Sequence, residues 1–96
     1  MNRSLHRLEV QVARALSEII HEMKDPRLPL VVTVERVCLT PDLSQGRVLV
    51  SALERVEETV GILNRAHGFL QEELARELRL RRIPRLRFFA DPGEVL

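Results

Sequence analysis

Five arginines stand within nine residues near the C-terminal end of the chain: Arg79, Arg81, Arg82, Arg85 and Arg87. No aspartate or glutamate interrupts them, so the stretch carries nothing to neutralise their charge. Each guanidinium is a planar, permanently charged fork of N–H donors matched to phosphate oxygens. Shortly before them comes Ala66-His67-Gly68, with a glycine set inside an otherwise helical pattern. That glycine either sits in a continuous helix, at a cost of roughly 1 kcal/mol relative to alanine, or marks a break between two helices. We favour the break, because Ala66 and Gly68 remove bulk where two helix axes would cross. His67 then has two readings. Either it is simply exposed, or it faces an anion at a helix N-terminus, where free N–H groups and the dipole favour phosphate and Arg65 helps from the preceding helix.

The remaining reactive residues point to no enzyme. His6 and His21 lie fifteen residues apart in one helical segment, about 22 Å along its axis, and cannot share a metal there. The carboxylates show neither a zinc-protease nor a calcium-loop order, so no metal and no cofactor are expected. Ser44 and Ser51 lack a nucleophile context, and Gly46, Gly61, Gly68 and Gly93 never form a phosphate-cradling run. Cys38, the single cysteine, sits between Val37 and Leu39 and reads as a small buried hydrophobe.

Charge becomes informative once it is split. The net +1 of the 96 residues hides ten basic against twelve acidic side chains over 1–78, and then the arginine cluster. Fourteen of the fifteen cationic residues are arginine, with Lys24 the exception. The leading partner class is therefore nucleic acid or another phosphate-rich surface, bound in a salt-dependent way. With no Trp or Tyr and three Phe, stacking on an aromatic sheet face is not expected to be the main recognition mode. An apolar content of 45% supports one modest core, expected over 1–91 with 92–96 a short end. No apolar run reaches the roughly 18 residues of a membrane span, and the N-terminus lacks a secretory pattern, so a cytoplasmic chain, monomeric when free, is expected.

These residues need elements to position them. From Leu5 to Met23 the apolar residues Leu5, Leu8, Val12, Ala15, Leu16, Ile19, Ile20 and Met23 recur at helical spacing. Ser4 or a residue nearer Asn2 would cap this helix, and Pro26 stops it. Leu30 to Thr40 reads as a strand whose alternation has a fault. Either both of its faces are partly buried, or a bulge near Glu35 and Arg36 realigns it. A six-residue loop, Pro41 to Gly46, leads to a second strand, Arg47 to Leu53. Helical spacing resumes near Glu57, passes the Ala66–Gly68 break and ends before Pro84; within it Glu72 and Arg76 form an attractive surface pair. Arg85 to Ala90 alternates as a third strand, parallel to the second because a helical crossover joins them. The order α-β-β-α-α-β predicts an α+β fold, with helices on one face of a three-stranded sheet and a wetter opposite face carrying Arg or Thr.

An ordered set of residues also resembles a known family. It runs through Arg7, Val12, Ile20 and Glu22, then Lys24-Asp25-Pro26-Arg27-Leu28, Val32-Thr33-Val34 and Val37. It continues with Asp42-Leu43-Ser44, Val48, Val50-Ser51, Ala66-x-Gly68-Phe69-Leu70 and Leu74-Ala75. It closes with Leu78-x-Leu80-Arg81-x-Ile83-Pro84-x-Leu86-x-Phe88 and Asp91. From about residue 3 to 91 the chain resembles bacterial ribosome-binding factor A. The resemblance implies a type II KH-like fold in which an interhelical Ala-x-Gly kink, here Ala66 and Gly68, replaces the usual KH loop. It implies no catalysis. It implies binding to the small (30S) ribosomal subunit and its 16S rRNA precursor in late maturation, with importance in cold adaptation. Arg65, His67, Arg79, Arg81, Arg82, Arg85 and Arg87 are the expected RNA contacts. Many family members run on past the position of Asp91 with a further Gly and apolar positions, and often a polar tail; beyond Leu96 such a tail is either absent or cut away. The preference for Arg over Lys and the short turns would suit a thermophile. The competing reading is a protein-interaction module that uses Val31, Val37 or Leu49 on an exposed sheet face.

Overall fold

Apolar side chains recurring every three or four residues fold the first segment into α1, Arg3–Met23, in the computed structural model, which describes residues 3–94. Val12, Ala15, Leu16, Ile19 and Ile20 are buried along its inner stripe, while Leu5, Leu8 and Met23 pack half-buried at its ends. Ser4 lies inside the helix and so does not cap it; a cap nearer Asn2 falls outside the described residues. The helix stops where Lys24 turns left-handed, at φ 51°. Asp25 then fixes the turn: its Oδ1 accepts from the Arg27 backbone N–H at 2.9 Å and its Oδ2 from Arg27 Nη2 at 2.7 Å. The Arg27 side-chain hydrogen bond, followed by the backbone one, lowers the Asp25 pKa to about 2.

The faulted strand becomes β1, Val32–Leu39, and the bulge is real: its pairing with β2, Gln45–Ala52, shifts register between Val34 and Arg36. One inserted residue lets Val32 and Val34 face the same core as Val37 and Leu39, and leaves Glu35 and Arg36 both exposed. The turn between the strands is shorter than expected, because β2 already begins at Gln45. Asp42 builds it, accepting from Ser44 N–H at 3.1 Å, Ser44 Oγ at 2.8 Å and Thr40 Oγ1 at 2.8 Å. The bonds from Ser44, backbone first, bring the Asp42 pKa down to about 2. Gly46 faces inward, where an added Cβ would lie 3.0 Å from Leu39 Cδ2 and 3.1 Å from Leu86 Cδ2. Glycine lets those two leucines close over the strand.

Two helices follow rather than one: α2, Val56–Arg65, and α3, His67–Leu78, meet at Ala66. Ala66 has φ −92° and ψ 11°, outside the helical well, and its N–H is shared between the carbonyls of Ile62 and Leu63. The break is therefore present, but Gly68 is exposed and a Cβ there would meet nothing within 4 Å. Its small size answers to no crowding among the described residues. On the α3 surface Arg76 pairs with Glu73 at 3.1 Å rather than with Glu72. β3, Arg85–Phe89, then joins β2 in parallel to give sheet order β1-β2-β3.

The order α-β-β-α-α-β is thus the observed one, with the helices packed on one face of the sheet in a KH-like arrangement. Val12 and Leu16 of α1, Leu63 of α2, Leu70 and Leu74 of α3, and Val48, Val50 and Phe88 of the sheet fill a common buried cluster.

Candidate nucleic-acid interface

Alternation along β3 sends Leu86 and Phe88 into the core and leaves Arg85 and Arg87 exposed on the other face. The parallel register places Arg85 beside Gln45, Arg87 beside Arg47 and Phe89 beside Leu49. Across β2, Leu49 pairs with Arg36 and Arg47 with Cys38, which is half-buried on this face rather than buried in the core, because alternation puts it opposite Val37 and Leu39. Four arginines, Arg36, Arg47, Arg85 and Arg87, therefore share the face of the sheet that the helices leave open. Glu35, the acid on that side, is occupied by the Ser51 hydroxyl, which donates to its Oε1 at 2.7 Å. Arg36 and Arg47 are additions to the expected set. The signal for Arg47 was its alternation with Val48; the signal for Arg36 depended on the bulge.

The outer edge of β3 is closed by side chains from either side of the helix break. Asn64 accepts the Phe88 N–H through Oδ1 at 2.8 Å and donates from Nδ2 to the Phe88 carbonyl at 3.0 Å. Gln71 Oε1 accepts the Leu86 N–H at 2.9 Å. His67 Nδ1 lies 2.9 Å from that same oxygen, so Nδ1 carries the hydrogen and donates it. Nε2, the other ring nitrogen, makes no hydrogen bond to the rest of the described residues. The break at Ala66 is what brings Asn64, His67 and Gln71 against one strand. Sequence reading passed over Asn64 and Gln71, since two polar residues within helical segments carry no local mark of an edge-sealing role.

A concave surface of about 810 Å³ follows from this arrangement. It is lined by Arg47, Arg85, Arg87 and Phe89 from the sheet and by Asn64 and His67 from the helix break, with no carboxylate in its wall. His67 is thus brought together with Arg85 and Arg87. Arg65 is not: it is exposed and folds back along α2, its Nη1 3.5 Å from where a Cβ on Gly61 would sit.

The other expected arginines diverge. Arg79 is the left-handed C-cap of α3, with φ 53°, and borders a cleft with Gln11, Arg14 and Glu18 of α1, on the helical side. Arg81 and Arg82 are exposed in the α3–β3 connection. Arg82 Nη1 donates to the Asp42 carbonyl at 3.1 Å, and its charge also helps hold the Asp42 carboxyl low. An acid from a distant turn thus comes close to a cluster that has none in its own stretch. Among the described residues, none of the five arginines forms an ion pair within 4 Å.

The competing surface loses one of its residues. Val37 is 4% exposed and faces the core, because the bulge turns it inward. Leu49 is half-buried on the basic face, and Val31 sits with Leu30 and Leu53 in an apolar patch at the far end of the hairpin. Among the described residues no three His, Cys, Asp or Glu side chains are placed to hold a metal, and no helix is long and apolar enough to cross a membrane.

Comparison with known proteins follows the same lines. The family model described as ribosome-binding factor A matches residues 4–94. A ribosome-binding factor A of Acinetobacter baumannii is 43% identical over 98 residues, covering 91% of this chain and 74% of the relative. The crystal structure of ribosome-binding factor A from Thermus thermophilus superposes with a TM-score of 0.83 at 43% identity, covering 90% of this chain and 94% of that one. A homology model of the Thermus thermophilus factor, fitted into a cryo-EM map of its complex with 30S, gives a TM-score of 0.78 at 42% identity, over 92% and 96% of the two chains.

Proposed function

The chain belongs to the ribosome-binding factor A family, and on that basis we propose that it binds the small (30S) ribosomal subunit through its open, arginine-bearing sheet face. The family is non-catalytic, and the chain acts as an assembly factor. Its partner is the subunit carrying precursor 16S rRNA, late in maturation in the cytoplasm, with an added role during cold adaptation. Residues 1–91 act as one RNA-binding unit, monomeric when free, and 92–96 are a short end.

The observation that carries the reading is the convergence of Arg36, Arg47, Arg85 and Arg87 on one uncovered face. Phosphates are the natural counter-charge for such a face, and each neutralised phosphate releases bound counterions, so affinity falls as salt rises. Arg81 and His67 extend this contact at its margins. Arg65 and Arg79 lie away from it and contribute less.

Co-sedimentation with small subunits at increasing salt tests the assignment. A variant carrying Arg47→Glu, Arg85→Glu and Arg87→Glu is expected to lose association while keeping its far-ultraviolet spectrum, and Arg79→Glu to retain most of it. Undiminished association of the triple variant would remove this face from the function.

A further inference from the structure

At the end of the sheet opposite Arg85 the chain leaves three aliphatic side chains in solvent. Leu30 is 95% exposed, Val31 63% and Leu53 99%. Val31 and Leu53 stand just beyond the last pair of the hairpin, Val32 with Ala52, so the two strand ends bring them together. A single exposed leucine needs no explanation, but aliphatic side chains gathered into one patch on a small chain mark a contact site. The patch borders a recess of about 740 Å³. Ile20 and Leu28 line it from α1 and the turn after it, and Glu54 and Arg55 from the β2–α2 connection. Its walls are already fixed. Asp25 holds Arg27 at 2.7 Å, and Arg55 Nη1 donates to the Arg27 carbonyl at 3.5 Å, which ties the connection to the turn.

Charge separates this end from the open face. Around the recess and the first turn of α2, Lys24, Arg27 and Arg55 are set against Asp25, Glu54, Glu57 and Glu58. Asp25 is occupied by Arg27, and Arg55 lies 3.7 Å from Glu54. Glu57 and Glu58 are exposed and form no ion pair among the described residues. The positive end of the α2 dipole, worth about half an elementary charge, does not offset both of them. The side of the patch that leads into α2 is therefore acidic, whereas the open face carries four guanidinium groups.

We propose that this apolar, acid-rimmed end docks a basic segment of a protein of the small subunit. The segment lays an aliphatic or aromatic side chain into the recess and a lysine or arginine beside Glu57 and Glu58. The proposal goes beyond the RNA contact and rests on the small-subunit reading above only for where the partner resides. RNA does not suit this end, because exposed carboxylates repel phosphate and saturated side chains offer it no hydrogen bond. A second copy suits it no better. A two-fold interface uses the same patch on both chains, so acids would face acids. A basic protein segment adds opposite charge at the rim and apolar burial at the centre, the usual anatomy of a protein contact. The two ends of the sheet then address the two components of a ribonucleoprotein.

Photocrosslinking of the intact chain on small subunits tests this, with benzoylphenylalanine in place of Leu53. The expected adduct is a protein, joined at a peptide where lysine or arginine adjoins apolar residues. Adducts to rRNA or to a second copy of the chain would overturn the proposal. A paired Leu30→Ser, Leu53→Ser variant is expected to weaken subunit binding roughly tenfold. Its melting temperature should hold, since both side chains stand in solvent. Its binding to free 16S rRNA fragments should also hold, since those report on the arginine face alone. A paired Glu57→Lys, Glu58→Lys variant is expected to weaken subunit binding severalfold although it adds positive charge. Unchanged or tighter binding by that variant would contradict a basic partner. If Arg47→Glu, Arg85→Glu, Arg87→Glu loses subunits while the leucine pair keeps them, the docking site is wrong and the arginine face stands. The reverse pattern would keep the docking site and remove the arginine face.

Discussion

Phe88 and Phe89 are neighbours with the same side chain, yet they stand on opposite faces of the sheet and in opposite circumstances. Phe88 is 1% exposed among Leu16, Leu63 and Leu70, while Phe89 is half-exposed in the wall of a basic concavity. The helix-covered face is apolar and serves stability; the open face is cationic and lightly packed, which suits it to the contact proposed above. Strand alternation alone separates the two roles, one residue apart.

The largest expected effect tests this contrast directly. Phe88→Ala should destabilise the fold by about 3–5 kcal/mol, since it leaves a cavity in a filled core. Phe89→Ala should cost less than about 1 kcal/mol. Urea midpoints of the two variants, measured side by side, decide the matter, and equal losses would mean that the open face is packed after all.

Next in size is the edge where the two faces meet. Asn64→Ala removes both bonds to the Phe88 backbone and should cost about 1–3 kcal/mol, because those groups lie too close to the core to be fully rehydrated. Amide exchange at Phe88 should rise with it. Protection unchanged at that amide would show that water replaces Asn64 without penalty.

Smaller gains are expected on the helical layer, away from the contact face. Gly68→Ala meets no neighbour and has ordinary backbone angles, so it should stabilise by about 0.5–1 kcal/mol. Arg79→Gly relieves a left-handed non-glycine residue and should gain about 1 kcal/mol. Both variants should associate with subunits almost as the unaltered chain does, checked by thermal melting and co-sedimentation. A gain in stability with a loss of association at Gly68 would reveal a close approach by the RNA.

The smallest effect is acid sensitivity at two turns. The carboxyls of Asp25 and Asp42 are lowered from 3.8 to about 2 on folding, so their contribution to stability is present above about pH 4 and lost as pH falls toward 2. Asp25→Asn and Asp42→Asn should each flatten stability against pH in that window. Both turns lie at the surface, with Asp42 exposed and Asp25 half-buried, so the change is expected to be small.

Much of the architecture was legible because its signals are local. The three-and-four spacing of α1 and the Val48–Val50 alternation each name an element without reference to the rest. The fault in β1 was visible too, but choosing the bulge required the partner strand, since only the register with β2 shows where the extra residue sits. The candidate site was legible in part. Arg85 and Arg87 emerged from charge and alternation; Arg36, Asn64 and Gln71 did not, because their roles depend on strands and helices distant in the chain. Nearness in sequence did not translate into nearness in space for Arg79, which the left-handed cap of α3 sets beside α1 rather than beside Arg85 and Arg87.

The order of elements, the family and a surplus of arginine late in the chain are thus written in the sequence alone. They follow from side-chain periodicity and composition, which neighbouring residues set among themselves. Three-dimensional packing decided which arginines share a face and that a broken helix seals the β3 edge. Strand register and helix packing bring together residues up to forty positions apart, as Asp42 and Arg82 are, and no local pattern records such a meeting.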